Sequence, residues 1–94
     1  MPTLHIEHAI SDFDVWTAAF GRFAEVRHDA GVRDQRVRRP IDDDHYVVID
    51  LDFDTAEEAT ALLEILRTRV WASPAASPAL VGSANARILE TVEV

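Results

Sequence analysis

The chain has no cysteine, no lysine, only three glycines, and no apolar run long enough to span a membrane. Without cysteine there is neither a disulfide framework nor a thiolate metal site, and the reducing cytoplasm is the expected location. The glycines, Gly21, Gly31 and Gly82, stand far apart, so no glycine-rich phosphate loop exists. His5, Glu7, His8, Asp12 and Asp14 interrupt any apolar signal core near the N-terminus. A soluble protein with no membrane partner is therefore expected. All nine basic residues are arginine against 17 acidic ones, giving a net charge of −8. An acidic chain repels phosphate backbones, so nucleic acid is not an expected partner. No serine or cysteine triad can be assembled from the residues present.

What is present centres on His45 to Asp54. Val47, Ile49, Leu51 and Phe53 alternate with Tyr46, Val48, Asp50, Asp52 and Asp54, which is the period of a β-strand with one apolar and one mixed face. The apolar stripe must meet helices. Carboxylates in the middle of a strand require water, a cation or a partner group.

Before it, Thr3 to His8 alternates in the same way, with Leu4 and Ile6 on one face and Thr3, His5 and Glu7 on the other. Ser11 and Asp14 have capping-box spacing, so a helix is predicted from Asp12. Phe13, Trp16, Phe20 and Phe23 recur at helical intervals, and Gly31 suits a left-handed cap, giving a helix of about 18–20 residues. Val32 to Arg39 reads as an exposed second strand closed by Pro40. Its hairpin with the central strand allows two registers. One sets Arg36 and Arg38 opposite Asp50 and Val48; a shift by one residue sets Gln35 and Arg33 opposite the two aspartates. Arg33, Arg36, Arg38 and Arg39 precede Asp42, Asp43 and Asp44, and exchange of opposite charge between the hairpin strands accounts for both runs.

Thr55 and Glu58 form a second capping box. Ala59, Leu62, Leu63, Leu66 and Val70 then hold core-facing helical spacing until Trp71-Ala72-Ser73-Pro74, where the proline ends it. Ser77-Pro78 predicts one further helical turn ended by Gly82, and Ala86 to Val94 the fourth strand. The resulting order, β-α-β-β-α-β over one domain spanning residues 1–94, is the split βαβ, ferredoxin-like α+β pattern. Right-handed crossovers order its four antiparallel strands 4-1-3-2 with both helices on one face. The other face is bare, and a domain of this size buries only about 60–65 % of its unfolded surface, so a second copy of the chain is the expected cover.

With these elements the chain resembles the dimeric α/β-barrel superfamily, in particular small actinobacterial proteins near the antibiotic-biosynthesis monooxygenases. The residues that carry the resemblance are Asp52-Phe53-Asp54-Thr55-x-Glu57-Glu58 and Val70-Trp71-Ala72-Ser73-Pro74. The resemblance implies a homodimer and a cleft between helices and sheet that takes a small aromatic ligand. Trp71 matches the tryptophan that ends the second helix in the monooxygenases, which makes it the candidate catalytic residue. Phe13, Trp16, Phe20 and Phe23 would wall the same cleft. The asparagine those enzymes carry on the first strand has no match, since His5 and Glu7 stand there and Asn85 is the only asparagine. Pro74 to Gly82 also lacks the histidine of the haem-degrading branch. No cofactor is therefore expected.

Beside the cleft, His5, Glu7, Asp50 and Asp52 share one sheet face on adjacent strands. Such a set suits a metal or an acid/base pair, and equally a hydrated dimer seam in which arginines neutralise the carboxylates. No metal is expected: Asp50-x-Asp52-x-Asp54 opens like an EF-hand loop but has Thr55 and Ala61 where that loop needs glycine and glutamate. The contiguous carboxylates at 42–44 read as a solvated turn. His8 and His28 read as surface residues at element ends. Two functions stay open, the monooxygenase-like enzyme acting on an aromatic ring that the resemblance implies and a non-enzymatic binding or structural module. A pocket of about 300 Å³ or more beside Trp71 would favour the first.

Overall fold

The computed structural model describes all 94 residues. Four antiparallel strands, β1 (Thr3–Ile10), β2 (Asp34–Arg38), β3 (Tyr46–Asp52) and β4 (Leu80–Leu89), form one sheet in the order β2-β3-β1-β4. Three helices, α1 (Phe13–Arg22), α2 (Ala24–Asp29) and α3 (Ala56–Ile65), complete the chain together with a wide π-helical turn over Leu66–Val70. This is the ferredoxin-like fold that the alternating segments predict. The domain core lies on one side of the sheet, where Leu4, Ile6, Val47, Ile49, Leu51 and Phe53 meet Trp16, Ala59, Leu62 and Leu63.

The hairpin takes the first of the two registers, with Arg36 opposite Asp50 and Arg38 opposite Val48. Asp50 and Asp52 therefore project from the bare face, and each is reached diagonally by an arginine of β2. The Thr55–Glu58 capping box is formed as predicted. Gly31 is left-handed at φ 99°, and a side chain there would collide with the Glu58 carboxylate, so the first capping glycine and the second helix's cap share one space.

Four boundaries differ from the sequence reading. Asp12, not Ser11, caps α1, accepting from the Val15 amide at 2.9 Å, and the helix begins at Phe13. The long first helix is two shorter ones. Gly21 weakens it, Phe23 leaves helical geometry (φ −102°, ψ 15°), and Arg27 takes the Phe20 carbonyl at 2.7 Å, where a cation suits the helix C-terminus. No helical turn follows Ser77-Pro78. The segment folds into turns that Ser77 Oγ ties to the carbonyls of Val70 and Ser73, and β4 already begins at Leu80, while residues 90–94 lie outside it. Gly82, expected as a helix end, instead serves a bulge. The β1–β4 register slips between Glu7 and Ala9, and φ 71° at Gly82 absorbs the extra residues.

Candidate functional site

Alternation along β1 fixes where its polar side chains go. Thr3, His5 and Glu7 point to the bare face; Leu4, Ile6, His8 and Ile10 point to the helices and are buried. The two faces hold two separate candidate sites.

On the helix side a cavity of about 80 Å³ lies between the sheet and the helices. Trp16, Phe20, Phe23 and Trp71 line it together with Leu62 and Val70. Trp16 and Phe20 stack with ring centroids 4.8 Å apart, which fixes that wall. Phe13 is not part of the lining. It packs on Trp16 at 6.0 Å and lies under the Arg39 guanidinium at 4.4 Å, closing the N-terminal end of α1 instead. Trp71 sits where the π turn ends, its amide bonded to the Leu66 carbonyl at 2.7 Å. Wide turns of this kind recur at functional sites.

Three polar side chains also reach the cavity, Arg27, His8 and Ser77, the last tied to the carbonyls of Val70 and Ser73. Arg27 is buried without a carboxylate partner; Nε donates to Gln35 Oε1 at 3.1 Å, Nη1 to Phe20, and the group lies 3.6 Å over the Phe20 ring. Its burial lowers its pKa from the ordinary arginine value. His8 corrects the sequence reading. It is 5 % exposed rather than a surface residue, because β1 runs two residues further than expected and keeps it in phase with Leu4 and Ile6. Desolvation pushes its pKa down, and the Ala9 carbonyl 2.9 Å from Nδ1 only partly opposes that. The alternation Leu4, Ile6, His8, Ile10 was the signal that identifies it.

On the bare face the structure brings His5, Glu7, Asp50 and Asp52 together in one network. His5 Nδ1 lies 2.6 Å from Asp50 and Nε2 lies 2.8 Å from Glu7. Two carboxylates facing both ring nitrogens are satisfied only by the imidazolium. Bonding to Glu7 first and Asp50 second accordingly raises the His5 pKa, while His5 and then Tyr46 lower that of Glu7. Tyr46 donates to the other Glu7 oxygen at 2.8 Å, and Arg38 donates to the other Asp50 oxygen at 2.7 Å. Arg36 grips Asp52 with two bonds of 3.0 and 3.2 Å, and Thr3 adds one of 2.6 Å, so the Asp52 pKa falls. Each of these carboxylates is engaged by a cation or hydroxyl, and both ring nitrogens of His5 face a carboxylate. Asp43, Asp44 and His45 form an exposed cluster held by local turn contacts. No helix is long and apolar enough to cross a membrane.

No protein-family profile and no curated protein matches the sequence. Solved structures do match, over nearly the whole chain. A protein from Nitrosomonas europaea provisionally described as an antibiotic biosynthesis monooxygenase superposes with TM-score 0.73 at 13 % identity, covering 99 % of this chain and 100 % of that one. A second antibiotic biosynthesis monooxygenase gives 0.70 at 10 %, with the same coverage. A dimeric ferredoxin-like protein from an uncultured marine organism gives 0.67 at 11 %, covering 99 % and 97 %. The chain thus has the ferredoxin-like fold found in monooxygenase-like and dimeric proteins. At these identities the shared property is the fold, and the actinobacterial part of the sequence resemblance finds no support in them.

A haem cofactor does not fit. A cavity of about 80 Å³ has no room for a tetrapyrrole.

Proposed function

We propose that the chain forms a homodimer through its bare sheet faces and that each subunit binds a small, single-ring aromatic molecule in the cleft beside Trp71, oxidising it in the manner of a cofactor-independent monooxygenase. The observation that carries this reading is the cleft itself, a gap walled by two tryptophans and two phenylalanines on the side of the sheet away from the charged network. Such chemistry needs a dry place to hold a ring. The volume limits the substrate: about 80 Å³ is well below the 300 Å³ or more typical of drug-sized ligands, so the substrate is one ring and not a polycycle.

The dimer reading rests on charge. The bare face carries Glu7, Asp34, Asp50 and Asp52 against His5, Arg36, Arg38 and Arg87, by the strand registers. That is four against four in a chain of net charge −8, so two copies meet there without the repulsion the rest of the surface imposes. Leu89 and Val81, exposed on the same face, supply apolar contact.

The volume of about 80 Å³ falls short of the 300 Å³ that would favour an enzyme, and so favours a second reading, a binding or structural module without turnover. One experiment separates the two. Single-ring phenols that bind should raise the melting temperature, and oxygen consumption should accompany binding only if the protein is an enzyme. Trp71→Phe should then abolish oxygen uptake while sedimentation still shows a dimer of the 10.5 kDa chain. Unchanged turnover in that variant would make Trp71 a packing residue, and a monomer at all concentrations would remove the dimer.

A further inference from the structure

We propose that His8 is the hydrogen-bond acceptor of the cleft and selects a ring that carries a hydroxyl, so that the ligand class is a small phenol and not a hydrocarbon or an ether. This deepens the functional reading above and rests on it.

The geometry assigns the tautomer. Nδ1 lies 2.9 Å from the Ala9 carbonyl, which can only accept, so Nδ1 carries the proton and Nε2 carries the lone pair. Nε2 has no partner in the chain. No side-chain nitrogen or oxygen is both sealed from solvent and unpartnered, so Nε2 meets open volume, and the volume that His8 lines is the cleft.

The surroundings leave that lone pair available. No carboxylate lines the cleft to hold a proton on the ring. β1 and β3 contribute Ile6, Ile49 and Leu51; α1, α3 and the π turn contribute aromatic and aliphatic side chains; the segment before β4 contributes Ala79 and Ser77. Ser77 Oγ is spent on two carbonyls. The one charged neighbour is Arg27 on α2. Its partner Gln35 stands opposite Leu51, whereas His8 stands opposite Val47, four positions along β3 and about 13 Å away at the strand rise. Arg27 therefore neither bonds Nε2 nor competes for a single ring bound against it. The depressed pKa keeps the imidazole neutral at physiological pH.

A ring that fills this cavity has two ways to meet Nε2. A phenolic O–H donates to it; a methyl group of the same shape leaves it desolvated and unpaired, which is the larger cost.

The test uses phenol and toluene, titrated by NMR into the wild-type protein, His8→Leu and His8→Gln. The wild type should bind phenol about tenfold more tightly than toluene. His8→Leu should bind toluene as before and lose the preference, and His8→Gln, which keeps an acceptor, should recover part of it. If His8→Leu keeps the preference while binding toluene, His8 is only a wall and the cleft reading survives. If the wild type binds neither ring, the cleft reading fails and this inference with it. Should His8→Leu not fold, the wild-type pH profile decides. Phenol affinity should fall as the pH drops through the His8 pKa, followed by its own ring resonances, while toluene affinity stays level; parallel profiles would overturn the assignment.

Discussion

His5 and His8 stand three residues apart on one strand, and the sheet separates them into different solvents. His5 lies on the bare face between Glu7 and Asp50, and its pKa is raised by bonds to those two carboxylates. His8 lies under the helices with one carbonyl for company, and its pKa is lowered by desolvation. The same side chain is thus pushed toward the charged form on one face and toward the neutral form on the other. The difference comes from parity: an odd residue of β1 meets the polar stripe of β3, and an even one meets Val47, Ile49 and Leu51. One face is suited to association by neutralised charge, the other to holding an apolar molecule.

Breaking the helix-covered face should have the largest effect. Phe53 is fully buried and among the largest side chains of the core. Phe53→Ala should cost about 3–5 kcal/mol, because removing the ring loses its transfer free energy and leaves a cavity that rigid β3 cannot close. Denaturant unfolding would measure it. A loss below about 1 kcal/mol would mean that this face is not the dominant core.

A smaller loss is expected on the other face. Asp50 is 5 % exposed and joins His5 to Arg38. Asp50→Asn keeps the shape but removes the charge between two cations, and should cost about 1–3 kcal/mol. Arg38 remains largely exposed and takes up water, which holds the cost below that of Phe53→Ala. Unfolding measured over a range of protein concentration sharpens the comparison. If the faces pair in a dimer, the Asp50→Asn loss should include a concentration-dependent part, whereas a loss identical at all concentrations would confine it to the subunit.

Much of this division is legible in the sequence. Alternation in Thr3–His8 and His45–Asp54 places the core stripe and the polar cluster, and element order with crossover handedness gives the strand order. Thr55 and Glu58 announce their helix because a capping box is a local device. What escapes is set by distant contacts. Near Phe23 only Gly21 hints at a break, and its place depends on Arg27 folding back onto the Phe20 carbonyl and on Gln35 from another element. The start of β4 is masked by Ser77-Pro78, which has the composition of a helix start but is tied into turns by Ser77. An end of β1 at His8 puts that residue at the surface, whereas the strand continues to Ile10 and buries it.

The smallest expected effect is also the most direct test of the two solvents. For His5 the folded pKa lies above the ordinary 6.5. Between that value and the raised one the folded state binds more protons than the unfolded state, so its contribution to stability is complete below 6.5 and is lost as the pH rises through the folded pKa. For His8 the folded pKa lies below 6.5. There the unfolded state binds the extra proton, so stability declines as the pH falls from 6.5 toward the folded pKa and levels off beneath it. The two slopes oppose each other across neutrality and give a maximum between them. NMR titration should place the His5 midpoint above the ordinary 6.5 and the His8 midpoint below it. His5→Gln should flatten the alkaline limb of the stability profile, and His8→Gln the limb just below 6.5. Coinciding midpoints for His5 and His8 would mean that the sheet does not separate two environments, and the functional division drawn from it would fall.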